Sequence, residues 1–197
     1  MKIVVIGASG TIGREVVNVL RDGNDLVEVS HKSTAITIDL ADPRSIKAMY
    51  ARIGQVDAVV SVAGEARFKP FADLSDEDFE FSLHNKLMGQ VNVVRFGFDH
   101  VRDGGSFTLT SGVLSKTPMQ GSGVISLVNA GLEGFTRAAA LEAPRGIRVN
   151  VVSPPWVTET LIAMGAKDLS HALPAATVAK AYVRSVTGKE TGEVIEP

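Results

Sequence analysis

Lys2-Ile3-Val4-Val5-Ile6 runs directly into Gly7-Ala8-Ser9-Gly10-Thr11-Ile12-Gly13, and that junction restricts the fold more than any other stretch of the chain. The first five residues are an uninterrupted, mostly β-branched run, the pattern of a strand covered on both faces in a parallel sheet. Beyond the glycines the period turns helical: Ile12, Val16, Val19 and Leu20 share one face up to a stop at Asp22-Gly23. Strand, glycine turn and helix in that order set free backbone N–H groups and the positive end of a helix dipole beyond a buried strand. That is a seat for the pyrophosphate of a dinucleotide. Gly7 permits the tight exit from the strand, Gly10 admits the phosphates, and Gly13 lets the helix pack on the sheet; Ser9, Thr11 and Ile12 complete the cradle.

Strand and helix patterns alternate through the rest of the chain. Strands are expected at Leu26–Val29, Ala35–Ile38, Val56–Ser61, Ser106–Thr110 and Ile147–Val152. Helices are expected over Pro43–Ile53, Asp76–His100, Val124–Ala143 and Ala176–Val186. The order implies an α/β fold, a Rossmann-like doubly wound and mostly parallel sheet flanked by helices. With 197 residues, 45% of them apolar, one domain spanning 1–197 is expected. Only Ser30 to Thr34 join the second strand to the third, whereas a helical crossover needs about a dozen residues or more. One outer helix should therefore be missing. Met164–Pro174 reads as a flap over the site.

A formal charge of -2 argues against nucleic acid or an anionic membrane as partner and leaves a small molecule. The absence of cysteine removes disulfides, thiolate metal sites and a thiol nucleophile. No His or carboxylate cluster has metal-ligand spacing, and no G-x-S-x-G elbow suggests a hydrolase. Met1-Lys2 enters the first strand without a signal-peptide pattern, and no apolar run reaches the roughly 18 residues of a membrane span. A soluble, cytoplasmic protein is expected.

The cofactor type is read after the second strand, where a carboxylate would bind ribose hydroxyls and a cation a 2′-phosphate. Ser30-His31-Lys32-Ser33 offers hydroxyls, an imidazole and an ammonium but no carboxylate, favouring NADP(H) while leaving NAD(H) open. Asp39 and Leu40, after the third strand, are placed to face the adenine.

Asp57-Ala58-Val59-Val60-Ser61-Val62-Ala63-Gly64, Ala130-Gly131-Leu132-Glu133-Gly134-Phe135-Thr136-Arg137 and Pro144-Arg145-Gly146-Ile147-Arg148-Val149-Asn150-Val151-Val152-Ser153-Pro154 resemble segments of the short-chain dehydrogenase/reductases. The resemblance spans nearly the whole chain. It implies an NAD(P) site, with Ala63 and Gly64 lining it, and hydride transfer between nicotinamide and a carbonyl or alcohol. In typical members a serine orients the carbonyl, a tyrosine gives the proton, and a lysine four residues later lowers the tyrosine pKa and holds the ribose. Ser111 matches the serine, but the tyrosine position falls on Ile125 and the lysine position on Asn129. Neither Tyr50 nor Tyr182 is expected near Ser111. An atypical subgroup is the closest match, and three outcomes stay open: a weak or unusual oxidoreductase, a catalytically silent dinucleotide-binding sensor or regulator, or a scaffold that binds no nucleotide.

Ser111 and Lys86 are the candidates for chemistry. Lys86 falls where the family places an active-site asparagine and can offer an ammonium to a developing alkoxide or to the ribose, against the alternative of a solvated stem. Adjacent Asn85 is expected to point elsewhere and His84 to face away. Asn129 can still bond the nicotinamide ribose. Pro154, Val157 and Thr158 resemble the stretch around the carboxamide, and Trp156 suits core or dimer packing. By the same resemblance, helices 76–100 and 124–143 should pair about a two-fold axis in a homodimer or homotetramer, with Gly121, Gly123, Ala130, Ala138 and Ala139 permitting close approach.

Overall fold

The computed structural model describes all residues from Met1 to Pro197. Seven strands form one parallel sheet: β1 (Lys2–Ile6), β2 (Asp25–Ser30), β3 (Ile36–Thr37), β4 (Val56–Ser61), β5 (Val101–Thr110), β6 (Arg148–Val152) and β9 (Val194–Ile195). Their order is β3-β2-β1-β4-β5-β6-β9. The order in which strands are added reverses between β1 and β4, and the crevice beyond the carboxyl ends of those strands is where open α/β sheets take their ligands. The expected single-domain Rossmann-like fold is the fold observed.

Both faces of the sheet are covered, as the unbroken apolar strands require. Val4 and Ile6 of β1 join one core with Ile46, Met49, Val93 and Leu132, from helices α2 (Pro43–Ile53), α4 (Gly89–Gly97) and α5 (Gly123–Glu142). Ile3 and Val5 point the other way, into a core with Val16, Leu20, Val178 and Tyr182 from α1 (Thr11–Leu20) and α7 (Ala175–Thr187). Each of these four β1 side chains is 0% exposed. Burying one such side chain stabilises the fold by about 1.5–3 kcal/mol.

The missing outer helix is confirmed, for no helix lies between β2 and β3. Ser30 closes the short connection, its Oγ accepting from the Ser33 N–H at 2.8 Å and the Thr34 hydroxyl at 3.2 Å. The third strand is shorter than expected and α1 stops at Leu20. Three pieces escaped the sequence pattern: β9, the helix α6 (Thr158–Ala163), and a two-stranded parallel ladder of β7 (Trp156–Val157) with β8 (Ala172–Leu173). Two-residue strands carry no periodicity to read. The flap therefore has a fixed end, with Ala172 paired to Trp156.

The expected helix 76–100 is corrected by the structure. Helix α3 (Asp76–Ser82), started by a Ser75–Asp78 capping box, passes into a π-helical turn at Leu83–Met88 and then into α4 and a 3₁₀ turn at Phe98–His100. The π turn changes the angular spacing of side chains where the chain passes the crevice.

Gly13 fixes how closely α1 can lie on the sheet, because a Cβ there would stand 1.9 Å from the Gly7 carbonyl oxygen. Gly13→Ala should lower stability by about 1–3 kcal/mol, which is roughly 2–12 °C in Tm for a domain of this size. Thermal denaturation checks this, and an unchanged Tm would contradict the packing described.

Candidate functional site

The crevice between β1 and β4 is lined by the two segments the sequence singled out. Gly7 leaves β1 at φ +88°, and a Cβ on it would meet the Val62 carbonyl carbon at 2.9 Å and the Ala63 Cβ at 3.0 Å. The glycine turn and the Ala63-Gly64 segment therefore lie in contact. Helix α1 starts at Gly10 with no side-chain cap and no acidic residue in its first turn. Its leading N–H groups and dipole are left for an anion. Gly10 and Thr11 are open to solvent and Ser9 is half-buried, while Gly13 is buried against the turn. Arg14, which the sequence reading passed over, donates from Nε to the Ser9 carbonyl at 2.9 Å and adds a cation beside the turn.

A cleft of about 540 Å³ extends from this turn, and Gly7, Ser30, His31, Lys32, Asp39, Leu40, Ala63 and Gly64 all border it. Residues from the ends of four strands thus meet at one surface. His31 and Lys32 stand exposed at the rim, and Asp39 is held by its Oδ1 accepting the Ala41 N–H at 2.9 Å. Ser33 does not border the cleft; its N–H serves the Ser30 hydroxyl. Asn85 does border it, contrary to expectation, and its Oδ1 accepts the Glu65 N–H at 2.7 Å. Asn85 sits on the π turn, where the angular spacing of an ordinary helix does not apply. His84 faces solvent as expected.

Lys86 and Asn129 converge on the backbone after β5. Lys86 Nζ donates to the Ser111 carbonyl at 3.3 Å, and Asn129 Nδ2 to the Gly112 carbonyl at 3.4 Å. Lys86 is not a solvated stem: its backbone and Cγ lie 3.1–3.2 Å from where a Gly64 Cβ would stand. The residue is partly covered, its ammonium is shut in, and burial pushes its pKa down to about 8. Asn129 Oδ1 is buried with no partner in the protein. An unpaired buried amide oxygen costs about 1–3 kcal/mol unless a bound group donates to it. A ribose hydroxyl is such a donor, so these residues suit the nicotinamide half of a dinucleotide.

Ser111 is placed differently from the expectation. It is 2% exposed, and its Oγ donates to Glu133 Oε1 at 3.1 Å. Ser115 donates to the same carboxylate oxygen. Glu133 lies one helical turn beyond Asn129 and went unnoticed in the sequence, where a lone Glu in a helix reads as surface. The position facing Asn129 is Gly112, where a Cβ would meet Asn129 Nδ2 at 3.1 Å. Pro154 is tied to this region through its carbonyl, which accepts the Val113 N–H at 2.9 Å. Val157 is buried on β7, and Thr158 opens α6.

Comparison with known proteins identifies the family and the fold. The family described as Enoyl-(Acyl carrier protein) reductase matches residues 15–196. Hydroxynaphthalene reductase arp2 of Aspergillus fumigatus is 29% identical over 156 residues, covering 77% of this chain and 55% of that protein. Oxidoreductase UcpA of Escherichia coli K12 is 30% identical, with 68% and 54% covered. The chain belongs to the short-chain dehydrogenase/reductase family. It spans about half the length of the curated relatives it matches. The protein lin1944 from Listeria innocua is 38% identical over 100% of this chain and 98% of its own, with a TM-score of 0.96. A small-chain dehydrogenase solved in complex with NADPH is 26% identical, with a TM-score of 0.89 over 100% of this chain and 96% of that one.

Within this short-chain dehydrogenase/reductase no tyrosine reaches the site. Tyr50 and Tyr182 are both 0% exposed, donating to the Val93 carbonyl and paired with the Thr110 hydroxyl respectively, and burial pushes both phenols well above their ordinary pKa. No group of His, Cys, Asp and Glu is arranged to hold a metal ion.

Lys86 makes the stability of this fold depend on pH with a definite sign. Its folded pKa, about 8, lies below the ordinary 10.5, so between those values the unfolded chain binds more protons. The unfolding free energy of the wild type relative to Lys86→Met should therefore rise from pH 8 toward 10.5. Paired denaturation curves at pH 7, 9 and 10 check this, and a difference that is flat or falls would show that the ammonium is not shut in.

Proposed function

We propose that this chain is an atypical NADP(H)-dependent oxidoreductase acting on a small carbonyl or alcohol, lacking the family's usual tyrosine and lysine. The observation that carries the reading is the single cleft bordered by the glycine turn, Ser30-His31-Lys32, Asp39-Leu40 and Ala63-Gly64. His31 and Lys32 supply positive charge and donors for a 2′-phosphate, and no carboxylate stands in that stretch to claim the ribose. The NADPH complex of the 26% identical small-chain dehydrogenase supports the same choice. Gly10, Thr11, Ile12 and Gly13 hold the pyrophosphate, Asp39 and Leu40 the adenine, and Pro154, Val157 and Thr158 the carboxamide end. Lys86 and Asn129 hold the nicotinamide ribose. Ser111 positions the substrate end through the carbonyl that Lys86 grips and through its own hydroxyl's tie to Glu133. When bound, the nicotinamide supplies or accepts the hydride.

One observation favours a second reading, a catalytically silent dinucleotide-binding sensor. Ile125 and Asn129 occupy the tyrosine and lysine positions, and the Ser111 hydroxyl is committed to Glu133. The proposed partner is a second copy of the chain, because Gly123, Leu127, Ala130, Gly134, Ala138 and Leu141 form an exposed apolar stripe along α5. No helix is long and apolar enough to cross a membrane, and the cytoplasm is the proposed place of action.

Calorimetric titration should show NADPH binding more tightly than NADH. Lys32→Ala should weaken NADPH about tenfold, equivalent to roughly 1.4 kcal/mol, and leave NADH unchanged. Equal loss for both cofactors would overturn the 2′-phosphate assignment. NADPH oxidation across a panel of carbonyl compounds separates the enzyme from the sensor, which binds without turnover. Sedimentation at micromolar concentration should give a dimer or tetramer; a monomer would count against the α5 surface.

A further inference from the structure

The oxidoreductase reading leaves a reduction without a proton donor, and one titratable side chain lines an apolar pocket beside the segment that follows β5. The pocket, of about 370 Å³, opens next to the Ser111–Gly112 segment, with Val113, Leu114, Met119, Pro155 and Trp156 among its walls. Val113 directly follows Gly112, whose carbonyl Asn129 holds, and Pro155 directly follows Pro154, whose carbonyl accepts the Val113 N–H. Two of its walls are thus the chain neighbours of Gly112 and Pro154, the backbone assigned above to the nicotinamide end. Of its lining residues only His171 is titratable. Lys86, engaged with the Ser111 carbonyl, does not line it.

We propose that this pocket takes an uncharged aromatic or aliphatic carbonyl compound, and that His171 gives the carbonyl oxygen its proton in place of the absent tyrosine. The proposal rests on the oxidoreductase reading above.

His171 belongs to the flap, yet its place is fixed by the backbone. Its neighbour Ala172 pairs with Trp156 in the β7–β8 ladder, and the Ala172 N–H donates to the Leu169 carbonyl at 3.0 Å. That pairing fixes the backbone next to His171, which shares the pocket lining with Trp156, Leu114 and Met119. Asp168, three residues earlier, folds back to accept the Ser170 N–H at 2.9 Å. The bonds from Ser170 hold the Asp168 carboxyl below the usual carboxylate range, and the charge of His171 lowers it further. Glu159 on α6 is occupied in capping the Ala175 N–H. A charged substrate would meet no buried counter-charge among Val113, Leu114, Pro155 and Trp156, so the desolvation cost selects against it.

The step balances. The carbonyl carbon accepts the hydride that a reduced nicotinamide dinucleotide supplies, forming the new C–H bond. The C=O π pair moves onto oxygen, which takes the proton from the imidazolium as its N–H bond breaks. His171 is exposed and recovers a proton from water.

Trp156 is the only tryptophan in the chain, so its fluorescence reports on this pocket without any turnover. Benzaldehyde is the probe. It should quench wild type, His171→Gln and His171→Ala alike, all three keeping their affinity for NADPH as evidence of intact folding. NADPH oxidation with benzaldehyde should fall about 10²–10⁴-fold in kcat in both variants, the usual weight of a general acid. Added imidazole should restore part of the rate to His171→Ala, which loss of a structural contact would not allow. A variant with wild-type kcat, or quenching that is absent while turnover occurs, overturns the proposal and leaves the oxidoreductase reading standing. A wild type that binds NADPH and is quenched by benzaldehyde, yet oxidises no NADPH with any carbonyl, overturns both.

Discussion

Helix α1 reaches the sheet only because nothing stands on Gly13, where a Cβ would lie 1.9 Å from the Gly7 carbonyl oxygen. Gly7 in turn, at φ +88°, brings the turn against Val62 and Ala63 at the end of β4. Those two approaches bring the start of α1 to the reversal point of the sheet, with its uncapped N–H groups over the β1–β4 crevice. Larger residues at either position would lift the helix away, and the cleft beyond it would lose one wall.

The second half of the site hangs from the same crevice. Gly64, at φ +128°, leaves room for the Lys86 side chain, which passes it to reach the Ser111 carbonyl. Asn129 reaches the next carbonyl from the opposite helix. The proposed reading places Ile125 and Asn129 at the family's tyrosine and lysine positions. On that reading Lys86 and Asn129 hold the ribose, and His171 completes the reduction. Glu133 ties Ser111 and Ser115 together and fixes the end of β5.

The sequence was most legible where one residue type serves one purpose. The β1 run, the glycine turn and the short β2–β3 connection could be read because strand burial, phosphate approach and chain length each leave a local mark. Lys86 was found from its place in a motif, but its enclosure was not, since that depends on Gly64 lying above it. Asn85 was misjudged because the π turn at Leu83–Met88 alters the side-chain spacing of an ordinary helix. The inward turn of Ser111 toward Glu133 and the shared pocket lining of His171 and Trp156 bring together residues 22 and 15 positions apart, and such juxtapositions leave no period in a sequence.

The most direct test of the central claim is a crystal structure of the protein grown with NADPH. The account predicts the pyrophosphate on the first turn of α1 at Gly10–Gly13, the 2′-phosphate beside His31 and Lys32, and a nicotinamide ribose hydroxyl within hydrogen-bond distance of Asn129 Oδ1. Phosphates seated away from the glycine turn, or Asn129 Oδ1 still unpaired with the nucleotide bound, would contradict it.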